Sequence, residues 1–263
     1  MLKKTNAIIG IVMLALLFSG MLPMATADEA LDKAFDALKS YDWGQDRNVL
    51  KPIEDAIVAS HGDDAARKGL ATKLAAVLPS DASRAAKDFA CRKLSIIGTE
   101  DCVPTVAALL PNAELSHMAR YALERIPCAC AADALRDALG KTSGKTKVGV
   151  INSLGARGDA ESVSALVALL EDADTQIAGA AAAALGAIAN ADAAKALGAF
   201  QKKAPEALRL ATADAYLACA EGLLAAGKKA EAMAIYKSLT GEGQPKHVRL
   251  AATRGLLAAT GKK

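Results

Sequence analysis

The cysteines carry the widest chemical scope in this chain. Five occur: Cys91, Cys102, Cys128, Cys130 and Cys219. Cys102 and the segment Cys128-Ala129-Cys130 sit in successive turns, and thiolates placed this way can pair as a disulfide or, with a histidine, hold zinc. The nearest histidine, His117, begins a helix that ends near Ile126. At about 1.5 Å per residue this puts it roughly 14 Å from the cysteine turn, beyond the reach of a shared metal ion. The expectation is therefore one bridge between Cys102 and Cys128 or Cys130. Cys91 and Cys219 fall on helical patterns and read as small buried apolar residues. A Cys-x-x-Cys-His haem attachment motif does not occur.

Three further patterns invite a chemical reading. Gly140-Lys141-Thr142-Ser143-Gly144-Lys145-Thr146 resembles a phosphate loop, but that loop needs four residues between its glycines and here there are three. Leu139 stands where the first glycine belongs, and the preceding segment is patterned as a helix rather than a strand. Arg157-Gly158-Asp159 spells an adhesion tripeptide, yet a glycine for a turn and an aspartate for the next helix explain it without a receptor. The remaining histidines, His61 and His247, also lie at helix boundaries, outside any zinc motif or serine elbow, and no spacing singles out a pair of carboxylates for acid–base work. No catalytic, cofactor-binding or metal-binding residue is assigned, and no cofactor is expected.

These residues are positioned by a repeat. Leu94-Ser95-Ile96-Ile97-Gly98, Leu123-Glu124-Arg125-Ile126-Pro127, Leu154-Gly155-Ala156-Arg157-Gly158 and Leu185-Gly186-Ala187-Ile188 each close a helix and are followed by a turn and a second apolar run. The anchor leucines lie 29, 31 and 31 residues apart, the period of one helical hairpin in a solenoid. Second runs such as Val103 to Leu110, with Pro104 in the first turn, and Val163 to Leu170 complete the units. Acidic residues in the loops Pro111 to Glu114 and Glu171 to Asp174 suit the positive end of the helix that follows. No run alternates with period two, so no sheet is expected. The fold class read here is all-α, a right-handed α-solenoid of stacked antiparallel helix hairpins of the armadillo-type superhelix.

The pattern from Ala85 to Lys203 resembles the short HEAT-like repeats also found in phycobilisome-lyase proteins. That resemblance implies either an interaction scaffold or a phycobilin-lyase-like enzyme that binds a tetrapyrrole. Ala220, Leu223, Gly227, Ala232 and Tyr236, with Pro245 after them, resemble the second half of a tetratricopeptide unit, although the early tryptophan of that signature is missing. The segment around Trp43 is similar to repeat modules of exported bacterial proteins that accompany carbohydrate-handling domains. Trp43 itself is expected to cover the open apolar end of the first hairpin.

Lys3 and Lys4, an apolar stretch from Ala7 to Leu22 and then Ala25-Thr26-Ala27 have the order of a signal peptide cleaved before Asp28. The expected organisation is a signal peptide at 1–27, an N-terminal helical cap at 28–84, HEAT-like repeats at 85–204 and a C-terminal cap at 205–263. The chain has 32 Lys and Arg against 29 Asp and Glu, and loss of two signal lysines would leave 30 against 29. So even a balance argues against a nucleic-acid partner, and aromatics at 3% are too sparse for base stacking. The reading is a periplasmic or secreted, non-catalytic scaffold, off the membrane once cleaved, that binds protein through the face of its second helices, with Arg92, Arg120 and Asn152 as candidate contributors. The alternatives are the tetrapyrrole protein and a thiol or metal protein using Cys102, Cys128 and Cys130.

Overall fold

The computed structural model describes residues 22–261, with side chains from Asp28 onward. The expected signal peptide lies outside these residues, except for the backbone of 22–27, which opens the first helix. The described residues are helical and contain no strand. They fall into two compact units, one up to Ala90 and one from Cys91 on, and the boundary lies inside a helix.

In the first unit, α1 (Leu22–Ser40) buries Ala34, Phe35 and Leu38, the i, i+1, i+4 stripe of an amphipathic helix. A single 3₁₀ turn (Arg47–Leu50) leads into α2 (Lys51–Ala59), which has Pro52 in its first turn and buries Ile53 and Ile57. The turn begins at Asp46, whose carboxylate accepts from Asn48 N at 3.0 Å. Asp63 caps α3 (Asp64–Ala75) in the same way, accepting from Ala66 N at 3.0 Å. Ser83 caps α4 (Arg84–Ile97): its hydroxyl accepts from Ala86 N and donates to Tyr41 O. The aromatic buried in this turn is Tyr41. Trp43 is 59% exposed and lies 5.3 Å from the Arg84 guanidinium, so it does not serve as the expected apolar cover. A ring this far out gains more from a cation on its face than from the little apolar surface within reach.

The second unit is an α-solenoid of helix pairs. Its elements after α4 are α5 (Val103–Ala107), α6 (Ser116–Leu123), α7 (Ala129–Leu139), α8 (Gly144–Arg157), α9 (Val163–Leu169), α10 (Thr175–Ile188), α11 (Ala191–Gln201), α12 (Glu206–Ala225), α13 (Lys229–Leu239) and α14 (Lys246–Thr260). Short 3₁₀ turns precede α5 and α9. Each odd-numbered helix packs on the even-numbered helix after it, and the even helices pack on one another in order, α6 on α8, α8 on α10, α10 on α12 and α12 on α14.

The four anchor leucines, Leu94, Leu123, Leu154 and Leu185, are fully buried. The close stack also depends on small residues. A Cβ placed on Gly155 would come within 2.8 Å of Ala184 Cα, and one on Gly186 within 2.5 Å of Ala215 O. Gly155 and Gly186 occupy one repeat position and Ala184 and Ala215 another, so the Leu-Gly pair that ends α8 recurs where α10 meets α12. This explains the alanine content: neighbouring backbones approach too closely for larger side chains.

Candidate functional site

Two features of the second unit could do work: the cysteine turn, and the outward face of the even-numbered helices.

The turn before α7 is held by an arginine from the next repeat. Arg157 donates from Nη1 to Leu123 O and to Ile126 O (3.1 Å), and from Nη2 to Cys128 O (3.0 Å). Leu123 O belongs to the last residue of α6 and Ile126 O and Cys128 O to the turn that follows, and a guanidinium can bind several carbonyls at once. Arg157 reaches them because Gly158 takes a left-handed conformation at φ +66° and ends α8 there. Asp159 accepts from Arg136 at 2.6 Å, which also pairs with Glu161 at 3.0 Å and with Asp133. The bond from Asp159 is the largest reason the Arg136 guanidinium holds its proton more tightly than usual. All three residues of the Arg-Gly-Asp tripeptide are thus occupied in the turn.

The disulfide joins Cys128 to Cys130, with Cα atoms 5.3 Å apart, and does not reach Cys102 as expected. Cys102 instead closes the 3₁₀ turn before α5, buried, with Thr99 Oγ1 3.9 Å from its sulfur. Cys128 is the N-cap of α7 in extended conformation, and this brings the side chain two residues on within bonding reach. Spacing alone permits this pairing as well as one between the successive turns, and the backbone at Cys128 decides between them. Cys91 and Cys219 are buried on α4 and α12. Burial pushes the Cys219 thiol up to about 11, with the Glu231 charge adding to the effect. Among the described residues no group of three His, Cys, Asp or Glu side chains could hold a metal ion.

On the even-numbered helices, Arg92 and Asn152 are exposed as expected, and Arg92 lies over the Tyr121 ring at 5.6 Å, with Arg125 on the same ring at 3.9 Å. Arg120 is a correction. It is drawn between α6 and α8, donating to Gly149 O at 3.0 Å and to Ser153 Oγ at 3.3 Å, while Ser153 donates to Glu124 at 2.7 Å. Burial makes this guanidinium easier to deprotonate than usual, with Glu124 opposing. The helical wheel could have shown it: at about 100° per residue, a position three before the anchor is roughly 60° from it, but one two before is about 200° away. The position two before the anchor is occupied in turn by Arg92, Tyr121, Asn152 and Ala183, and one period further on by Asp214. Four of these five are exposed and Tyr121 is partly so. Asp214 pairs with His247 of α14 at 3.6 Å, and Leu210, Leu250 and Leu257 are each about half exposed on these last two even helices.

In the first unit a groove of about 860 Å³ opens among α1, α2 and α3, with Leu31, Pro52, Ala56 and Leu70 in its walls and Asp55 and Lys73 beside them.

Residues 132–218 match the family described as HEAT repeats. The matched stretch runs from α7 into α12 and contains the α8, α10 and α12 stack, so this part of the chain is a run of HEAT-like repeats. No curated protein matches the chain significantly. Among solved structures, the chain is similar to an engineered protein at 20% identity and a TM-score of 0.44, over 88% of this chain and 68% of that one. It is also similar to human deoxyhypusine hydroxylase in complex with glycerol, at 17% identity and a TM-score of 0.34, over 73% of this chain and 97% of that one.

Proposed function

We propose that this chain is an exported scaffold of HEAT-like repeats, ended by a tetratricopeptide-like hairpin, that binds a protein partner through the outward face of its even-numbered helices. The observation that carries the reading is the row Arg92, Tyr121, Asn152, Ala183 and Asp214, one residue per repeat on successive even-numbered helices. Such a row gives a partner a regular series of contacts at fixed spacing. Its chemistry changes along its length, from cations flanking an aromatic ring, through alanine positions (Ala183, Ala187) where a partner backbone could approach closely, to leucines beside an Asp–His pair. A graded surface of this kind orients what it binds as well as holding it.

The deciding experiment combines localisation with competition. Fractionation and N-terminal sequencing should place the protein outside the cytoplasm with Asp28 as its first residue. Tagged chain should then capture a recurrent protein partner, and the triple variant Tyr121→Ala, Asn152→Arg, Ala183→Arg should lose it while keeping its helical circular dichroism. A charge change of equal size and opposite sign on the exposed Lys195 of α11, Lys195→Glu, should leave capture unchanged. Equal capture by the triple variant would reject the face.

A further inference from the structure

The bridge between Cys128 and Cys130 is poorly placed to act as a staple. One residue separates the two cysteines, so closing that loop removes very little freedom from the unfolded chain. The turn is also held without it. Cys128 N donates to Ile126 O at 2.9 Å, and Arg157 binds the carbonyls of Leu123, Ile126 and Cys128. Both cysteines are partly exposed, in contrast to the buried Cys91, Cys102 and Cys219. Their surroundings favour a thiolate: Cys128 is the N-cap of an eleven-residue helix and Cys130 lies in its first turn, where the unpaired N–H groups and the dipole stabilise negative charge. The Arg157 guanidinium, bonded to the Cys128 carbonyl, adds a fixed positive charge beside them.

We propose that Cys128-Ala129-Cys130 is a thiol–disulfide exchange site that oxidises paired cysteines on a client polypeptide. A client thiolate attacks one sulfur of the bridge, the sulfur–sulfur bond breaks, and its electron pair leaves on the other sulfur as a thiolate held at the helix N-terminus. The client's second thiolate then attacks the mixed disulfide and releases the chain's remaining thiolate. In sum, the client dithiol loses two electrons and two protons to become a disulfide, and the bridge gains them to become a dithiol. The reverse exchange with a disulfide-bearing donor protein restores the bridge. This activity does not depend on the docking face and would survive its failure.

The test begins with the folded full-length chain equilibrated in mixtures of reduced and oxidised glutathione, quenched in acid and alkylated, with the Cys128–Cys130 peptide read by mass spectrometry. The expected result is a dithiol fraction that follows the glutathione ratio at ~1–10 mM reduced glutathione, while the melting temperature moves by less than ~3 °C. A bridge that stays closed until the chain unfolds, or a reduced chain that melts more than ~3 °C lower, would overturn the proposal by showing a structural staple. A synthetic peptide with two cysteines should become oxidised by one disulfide per chain, and the Cys128→Ser, Cys130→Ser double variant should oxidise none. Equal oxidation by the double variant would equally reject the site. The titration uses the wild-type chain and reads out even if that variant does not fold.

Discussion

Two glycines of α10 allow the repeat packing to be tested by sign as well as by size. Both Gly179 and Gly186 sit inside the helix, where replacing glycine by alanine is intrinsically favourable by about 1 kcal/mol. Their surroundings differ. A Cβ on Gly179 would meet Leu208 Cδ2 at 3.5 Å, an ordinary contact with the tip of a side chain. A Cβ on Gly186 would lie 2.5 Å from Ala215 O and 3.1 Å from its C and Cα, roughly 0.9 Å short of comfortable contact with backbone. No rotamer change can relieve that clash, so α12 must move. Overpacking of this sort costs about 1–3 kcal/mol. Because the propensity gain is common to both variants, it cancels when they are compared. Gly179→Ala should stabilise the chain by up to about 1 kcal/mol, and Gly186→Ala should fall below it by about 1–3 kcal/mol, or about 2–12 °C in melting temperature for a domain of this size. Urea and thermal unfolding followed by circular dichroism measure both. If Gly186→Ala proves as stable as Gly179→Ala, the close approach of α10 to α12, and with it the reason for the Leu-Gly repeat, is wrong.

Arg157→Ala should cost about 2–4 kcal/mol in urea unfolding, since it strips charged donors from three carbonyls, while Arg157→Lys should recover only part because a point charge cannot span them. Asp174→Ala removes the acceptor for Gln176 N at 2.8 Å at the start of α10 and should cost about 1 kcal/mol by the same assay. The folded Cys219 thiol keeps its proton up to about pH 11, against an ordinary value of 9.0, so its contribution to stability is complete below pH 9 and is lost as pH rises from 9 to 11. The fall in urea midpoint across that interval should therefore be steeper in the wild type than in Cys219→Ala, and equal slopes would show that the thiol is not buried in solution.

The repeat could be read in the sequence because it rests on local, periodic facts. A leucine that must be buried between stacked helices recurs at the period of the hairpin, and the glycine after it recurs where two backbones touch. The caps were equally legible: Asp63 and Asp174 precede their helices where a carboxylate can accept from the first free N–H groups. The cysteine pairing was not legible, because it depends on the backbone conformation at one residue. Extended geometry at Cys128 followed at once by a helix turns Cys130 back onto it, and spacing does not reveal that. Trp43 failed for a related reason: whether an aromatic in a turn points inward depends on the turn, and here Tyr41 is the one buried.

Arg120 shows how the outward face is selected. Anchor leucines fix which side of each even helix is buried, and everything else follows by angle. The position one before the anchor of α8, Ser153, is about 100° round and lies wholly inside the α6–α8 contact, where it donates to Glu124. The position three before the anchor of α6, Arg120, is close enough to be drawn into the same contact, and its long stem lets the guanidinium reach Gly149 and Ser153 without breaking the stack. Gly149 has no side chain, and that leaves the room: a Cβ there would lie 2.4 Å from the guanidinium carbon. Arg120 and Gly149 are therefore one packing unit, and any larger residue at 149 expels the arginine. The positions two before and two after the anchor, each about 200° round, face away from the stack, and that geometry, more than any property of their side chains, leaves Arg92, Tyr121, Asn152, Ala183 and Asp214 turned toward solvent.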